Sequence, residues 1–243
     1  MRRLIAQGVI AESVLEVGSL NHQGGADGNA QATCTRAGLR WEGADLRAGA
    51  GVDHLLDILD DGAVATLGRR WDSVLLLNLL EHVYDPIAAL RNAVRLVAPR
   101  GALVVSGPAV WELHDYPADF WRPMPGFFVE FARREGLEVV AGSATWIVDG
   151  RLIALDALRD GAQWLAPSAR HVRALHGRRR RGIAAAIANR IAGLVGGPQL
   201  VFPFTSFAIA LRRPSSDAVD ATIDLVERLP VDARVELPGD VEP

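Results

Sequence analysis

Short aliphatic and β-branched runs alternate with amphipathic segments along the first two thirds of the chain. Each run has the length of a buried strand and is followed by glycine or polar residues. The strands predicted in this way are 13–17, 39–45, 52–58, 72–78, 102–106 and 137–141. Helices are predicted at 30–37, 86–98 and 123–135. This alternation predicts an α/β fold with a parallel sheet and helices on both of its faces, which is a doubly wound arrangement.

The helix at 86–98 has the clearest boundary. Asp85 can cap its first turn, and Pro86 suits the first helical position because the N–H that proline lacks would have no partner there. The helix is predicted to end before Pro99.

The last 90 residues differ in character from the first 150. An arginine run, Arg178 to Arg181, precedes an alanine- and isoleucine-rich helix predicted at 183–195. The expected organisation is a core at 1–150, a helical arginine-rich cap inserted at 151–200, a final core strand at 201–213 and an acidic C-terminal tail at 214–243.

Composition narrows the setting and the chemistry. The 243 residues are 49% hydrophobic and 23% charged, as expected of a folded, soluble protein. All 26 basic residues are arginine, which excludes Schiff bases and P-loops that depend on lysine. The single cysteine, Cys34, excludes an internal disulfide and a cysteine-based zinc site within one chain, so we expect a cytoplasmic protein.

One uncharged stretch, 191–211, is long enough to span a bilayer. Gly196-Gly197-Pro198 and Pro203 divide it into short pieces, so a buried helix followed by a core strand is expected instead of membrane contact. The net charge of −3 argues against binding of bulk polyanions by the whole chain.

The candidate ligand site lies beyond the carboxyl ends of the strands, because open parallel sheets bind ligands there. Gly18 follows the first strand and would let the backbone approach a ligand closely. Asp45 closes the second strand, where an acid can accept hydrogen bonds from ribose hydroxyls, or could equally cap a turn. The chain has neither the Gly-x-Gly-x-x-Gly pattern nor a Walker lysine, which disfavours a dinucleotide dehydrogenase and an NTPase.

Four ordered motifs carry a resemblance to a known family. They are Val14-Leu15-Glu16-Val17-Gly18-Ser19, Gly43 to Asp53, Leu79-Leu80-Glu81-His82-Val83 and His114 to Arg122. Together they resemble class I S-adenosylmethionine-dependent methyltransferases, most of all the small-molecule type 11 branch, over residues 10–145 and again at the final strand. The resemblance implies a seven-stranded, mostly parallel, Rossmann-like sheet and S-adenosylmethionine as cofactor. The usual Gly-x-Gly of the first motif is absent, and Leu20-Asn21-His22 stands there.

The resemblance also implies roles for individual positions. The residues implied to line the methionine portion of the cofactor are Glu16, Gly18, Ser19, Asn78 and Leu79. Asp45 would hold the ribose hydroxyls, Leu46 would also contact the cofactor, Asp57 and Ile58 would flank the adenine, and Glu81-His82 would lie beneath the reaction centre.

A base is needed only if the methyl acceptor must lose a proton. His114 is the preferred base because a nearby acid, such as its neighbour Asp115, could orient the ring; His82 and Tyr116 are the reserve candidates. The residues expected to bind the acceptor are Trp111, His114, Asp119, Trp121 and Arg122. Alternatively, His114 and Asp119 only fix the loop through hydrogen bonds. No metal-ligand set stands out in the sequence.

The arginine run is either a solvated helix end or a contact for an anion, such as a phosphate group or an acidic carrier protein. Nucleic acid is disfavoured because no aromatic residues are interleaved with the arginines.

The sequence thus predicts methyl transfer to an O or N atom of a small metabolite, in the manner of secondary metabolism. The alternatives are a cofactor-binding module without catalysis and non-methylating chemistry on the sulfonium. The acceptor and the oligomeric state, a homodimer included, stay open.

Overall fold

The computed structural model describes residues 1–20, 29–111, 113–148, 151–154 and 205–215. Their helices are α1 (Arg2–Ala6), α2 (Ala30–Arg36), α3 (Asp61–Thr66), α4 (Pro86–Leu96) and α5 (Pro125–Arg134), with a 3₁₀ turn at Leu80–His82. Their strands are β1 (Ser13–Val17), β2 (Arg40–Asp45), β3 (His54–Leu55), β4 (Trp71–Leu77), β5 (Val97–Val110), β6 (Glu138–Val139), β7 (Thr145–Val148), β8 (Arg151–Ala154) and β9 (Thr205–Arg212). None of the helices in these ranges is long and apolar enough to cross a membrane.

All of the described strands belong to one sheet, in the order β3-β2-β1-β4-β5-β9-β7-β8, with β6 also paired to β9. The first five strands in this order are parallel, and β9 runs antiparallel to β5. Because β5 occupies one edge of β9, β6 and β7 share the other edge and together fill one strand position. The sheet therefore has seven strand positions plus the added strand β8. The predicted doubly wound, mostly parallel α/β fold is confirmed.

Side chains on neighbouring positions of each central strand enter two different cores. In β4, Leu76 packs with α3, α4 and α5, whereas Leu75 packs on the opposite face with α1 and α2. The same alternation holds for Leu15 and Val14 in β1. Because both faces are buried, the central strands carry apolar residues at consecutive positions, which is typical of parallel sheets.

The predicted boundary of α4 is confirmed at its start. The carboxylate of Asp85 accepts a hydrogen bond from the backbone N–H of Ala88 at 3.0 Å, and Pro86 is the first helical residue. The helix ends at Leu96, because Val97 already pairs with Trp71 and begins β5. The fifth strand is therefore longer than the predicted 102–106.

Two further predictions differ from the structure. The third strand, predicted at 52–58, contracts to His54–Leu55 at the sheet edge. The helical cap was expected to begin at 151, but Arg151–Ala154 form β8, which pairs antiparallel with β7. The rest of the predicted cap, with Arg178 to Arg181 and the helix at 183–195, and the tail from 216 lie outside the described residues.

Gly43 in β2 gives a test of how tightly the carboxyl end of the sheet is packed. A Cβ on Gly43 would lie 2.0 Å from the carbonyl oxygen of Gly51 and 2.5 Å from Oγ of Ser19. A Cβ on Gly49 would also be close, at 2.4 Å, but to Cδ1 of Leu20, a flexible side chain that can move. We expect Gly43→Ala to lower the free energy of unfolding by about 3 kcal/mol because backbone must shift. Gly49→Ala should cost clearly less, and equal losses in urea unfolding would contradict this account.

Candidate functional site

The order of the strands reverses between β1 and β4, because the chain builds outward from β1 to β2 and β3 and then returns to pair β4 with the other edge of β1. Residues that follow these two strands meet at this point. Gly18, with φ of 80°, follows β1, and a Cβ placed on it would lie 2.9 Å from Cδ1 of Leu79. Open α/β sheets bind ligands in the crevice beyond such a reversal.

Glu16 is the acidic group nearest the end of β1. Its Oε2 accepts a hydrogen bond from the indole N–H of Trp41 in β2 at 3.0 Å. Burial raises the pKa of Glu16 to about 7, although the hydrogen bond from Trp41 acts in the opposite direction. A cationic ligand group beside this carboxylate would favour its charged form. The sequence pattern did not identify Trp41 as the partner of Glu16, because the two lie 25 residues apart.

Asp45 is held in place at the end of β2. One carboxylate oxygen accepts from the backbone N–H of Leu20 at 3.2 Å and the other from that of Arg47 at 3.1 Å. Since each carboxylate oxygen has two lone pairs, each can still accept a hydrogen bond from a hydroxyl group of a ligand. The next side chain, Leu46, is 68% exposed and could cover a flat ligand.

Several other residues predicted to contact the cofactor form local hydrogen bonds or are buried in the core. The hydroxyl of Ser19 donates to the carbonyl of Gly51 at 2.7 Å and so joins two loops at this end of the sheet. Asp57 accepts from the N–H of Leu59 at 2.9 Å. The side chain of Ile58 is buried in the core, although the resemblance implied that it flanks the adenine. Asn78 is exposed and has φ of 52°, a conformation that asparagine tolerates better than most residues.

A second group of predicted residues comes together beside the carboxyl end of β4. The backbone N–H of Phe120 donates to the carbonyl of Glu81 at 2.7 Å and thereby ties the loop after β5 to the 3₁₀ turn. Nδ1 of His82 lies 2.6 Å from the carbonyl oxygen of Ala118. The rings of His82 and His114 meet edge to face, with centroids 4.9 Å apart. The predicted candidates His82 and His114 are therefore neighbours.

Asp119 organises this loop. Its side chain has no exposed surface, and it accepts two hydrogen bonds from the guanidinium of Arg122 and one from the backbone N–H of His114. These bonds hold the pKa of Asp119 well below its usual range, with Arg122 the largest cause. The same carboxylate lies 3.1 Å from Nδ1 of His114. The acid beside the His114 ring is thus Asp119, whereas the sequence suggested its neighbour Asp115, which lies 3.9 Å from Nε2 of His82.

Glu81 is buried at the centre of this group. Its side chain is 1% exposed, and no other described residue donates a hydrogen bond to either carboxylate oxygen. Burial raises its pKa, although its own backbone N–H and the nearby His82, His114 and Arg122 act in the opposite direction. Ligand-type atoms of Glu81, His82 and His114 all lie within 4.8 Å of one another. The sequence indicated no metal-ligand set because His114 is 32 residues beyond His82.

Several exposed aromatic residues lie close in sequence to His82 or His114. Three of them, Tyr84, Phe120 and Trp121, contact one another. Tyr84 and Phe120 meet edge to face at 5.8 Å, and the indole N–H of Trp121 donates to the carbonyl of Tyr84 at 3.2 Å. Trp111 is also partly exposed, and Tyr116 is 82% exposed. These residues give this part of the molecule an exposed apolar surface.

No protein-family model matches the sequence, and no curated protein matches it. Solved structures do match. An S-adenosylmethionine-dependent methyltransferase from Archaeoglobus fulgidus is 16% identical, with 87% of this chain and 90% of that chain covered and a TM-score of 0.51. The N-methyltransferase NodS from Bradyrhizobium japonicum, in complex with S-adenosylhomocysteine, is 13% identical, with 87% and 83% covered and a TM-score of 0.44. The chain has the fold of S-adenosylmethionine-dependent methyltransferases. The roles of the individual site residues stay predictions.

The raised pKa of Glu16 predicts a specific dependence of stability on pH. Because the folded-state pKa of about 7 lies above the ordinary value of 4.5 for a glutamate, the folded state holds the proton more tightly. The stabilisation from Glu16 is complete below pH 4.5 and is lost as the pH rises through 7. Glu16→Gln keeps an oxygen that can accept from Trp41 but cannot ionise. From pH 5 to pH 8 we expect its stability to rise relative to the original chain by about 2 kcal/mol. A difference in urea unfolding that stays constant over this range would contradict the assignment.

Proposed function

We propose that this chain is an S-adenosylmethionine-dependent methyltransferase that transfers a methyl group to an oxygen or nitrogen atom of a small organic acceptor. The observation that carries the proposal is the crevice at the strand-order reversal, where Asp45 ends β2, Glu16 lies in β1 and Gly18 packs against Leu79. The fold shared with methyltransferases of known structure is consistent with this reading.

The residues at the crevice fit the cofactor. Asp45 has lone pairs left for the two ribose hydroxyls after accepting from Leu20 and Arg47. Glu16 offers a half-buried carboxylate for the amino group of the methionine portion. Gly18 lets the chain turn at a positive φ without a side chain between the two loops. When bound, S-adenosylmethionine supplies a methyl group that is already activated by its sulfonium.

The protein then has to align the acceptor atom with the methyl group and exclude water. The exposed aromatic residues of the loop after β5 are suited to hold the apolar part of an acceptor. Where the acceptor must lose a proton, the His82–His114 pair is the nearest group that can assist. The buried, ionised Asp119 would stabilise a protonated His114 ring, as the carboxylate beside a catalytic histidine does.

The role of Asp45 can be tested by binding of S-adenosylhomocysteine. Asp45→Ala removes hydrogen bonds from the ribose to a charged acceptor, each of which contributes about 1.5–3 kcal/mol. We therefore expect the affinity measured by calorimetry to fall at least tenfold. Asp72→Ala is the matched control: Asp72 also accepts from a backbone N–H, that of Ser13, but at the amino end of the sheet. Equal affinities in the original chain and Asp45→Ala would refute the cofactor site.

His114 can be tested by turnover. Formation of S-adenosylhomocysteine is measured with a panel of hydroxyl- and amine-bearing small molecules, and methylthioadenosine is quantified to detect non-methylating chemistry. We expect His114→Ala to lower turnover at least tenfold while the affinity for S-adenosylhomocysteine is unchanged, because the ring acts on the acceptor. His54→Ala, which alters a histidine paired with Glu42 in β2, should keep normal turnover. Near-normal turnover in His114→Ala would remove His114 from the mechanism.

A further inference from the structure

Glu81 presents an electrostatic problem that its described neighbours do not solve. A buried carboxylate is costly unless it is paired or hydrogen-bonded. Asp119, also buried, meets this requirement through Arg122 and the backbone of His114. Glu81 has no such partner among the described residues, and its nearest ion-pair contact is Nε2 of His82 at 4.0 Å. This separation is too long for a hydrogen bond.

The protonation of His82 sharpens the problem. Nδ1 of His82 lies 2.6 Å from the carbonyl oxygen of Ala118, which can only accept a hydrogen bond, so Nδ1 carries a proton. In the neutral ring Nε2 then carries a lone pair, and this atom is the one that faces Glu81. With the ring neutral and the carboxylate charged, a ring lone pair and a carboxylate oxygen face each other across 4.0 Å.

The same hydrogen-bonding pattern is typical of histidines that bind metal ions. Metal-ligating histidines usually direct their second ring nitrogen to a backbone carbonyl or to a carboxylate. Nδ1 of His82 is directed to the backbone carbonyl of Ala118. Nδ1 of His114 lies 3.1 Å from the buried carboxylate of Asp119. The Nδ1 atom of each ring is thereby held by an acceptor of the protein, as it is in many metal-binding histidines.

We propose that Glu81, His82 and His114 form a binding site for a divalent transition-metal cation at the acceptor side of the crevice. Two imidazoles and one carboxylate suit zinc, iron(II), cobalt(II) or manganese(II) and leave coordination positions open. Their ligand atoms already lie within 4.8 Å of one another. Bond lengths of 2.0–2.2 Å place tetrahedral ligand atoms about 3.4 Å apart, so small side-chain rotations suffice. The side chains of His82 and His114 are about a quarter exposed, which gives a cation access.

The chemical consequence rests on the proposed function, although cation binding itself does not. An acceptor hydroxyl at an open coordination position would lose its proton to solvent more readily, because a bound cation lowers the pKa of a coordinated oxygen. His114 would then act as a ligand and not as the base. This restricts the acceptor to molecules with an oxygen that can reach the cation, such as alcohols, phenols or hydroxy acids.

Cobalt(II) is the probe for the site because its visible absorption reports nitrogen and oxygen coordination. The full chain is treated with a chelator, dialysed and titrated with cobalt(II), and the affinity for zinc(II) is measured in competition. We expect one equivalent to bind with a visible band in the original chain. Glu81→Gln and His114→Ala should each weaken this binding at least tenfold. His54→Ala, which leaves the three ligands intact, should not change it.

The outcomes separate this proposal from the cofactor assignment. Glu81→Gln preserves the shape of the side chain, and circular dichroism establishes that each variant is folded. The His114→Ala variant tests the same site independently of Glu81→Gln. Absence of cobalt(II) binding, or equal binding in the original chain and both ligand variants, overturns the metal site. Calorimetry with S-adenosylhomocysteine on the metal-free chain tests the cofactor site separately. Cation binding without nucleoside binding would refute the proposed function and leave the metal site standing.

Discussion

Parallel pairing of β1 with both β2 and β4 determines where this chain can bind a ligand. The pairing brings the carboxyl ends of three strands to one edge of the sheet, and the residues that follow them have no further strand to join. Gly18 and Leu79 close the space between β1 and β4, while Asp45 is fixed one strand away. The positions of Gly18 and Asp45 follow from this topology, because each lies directly at the end of its strand.

Local sequence patterns predicted the elements whose boundaries depend on local chemistry. β1 was predicted at its observed bounds because Gly18 ends a compact apolar run. α4 was predicted at its start because Asp85 and Pro86 form a cap of known geometry. β8 was missed because four residues of mixed character carry no period that separates a strand from a helix. Its formation depends on pairing with β7, which local propensity does not report.

The candidate site was predicted in part, for the same reason. Asp45 and Glu16 follow from strand ends and the family resemblance. The arrangement around His114 does not, because it depends on how the loop after β5 folds back onto the 3₁₀ turn. Sequence adjacency favoured Asp115 as the acid beside His114, but the structure places Asp119 there and Asp115 near His82. A side chain's sequence neighbour and its spatial neighbour differ most in loops of this kind.

Two buried carboxylates beside the His82–His114 pair, Asp119 and Glu81, have opposite environments. Asp119 accepts from a guanidinium and a backbone N–H, so it remains ionised and holds its loop in one conformation. Glu81 is equally buried but lacks such donors among the described residues, so burial disfavours its charge. A structural carboxylate is normally satisfied in the way that Asp119 is. Glu81 must instead keep its proton or share its charge with something that enters between it and the two histidines. Either way, Glu81 is better understood as part of the proposed metal site than as part of the core.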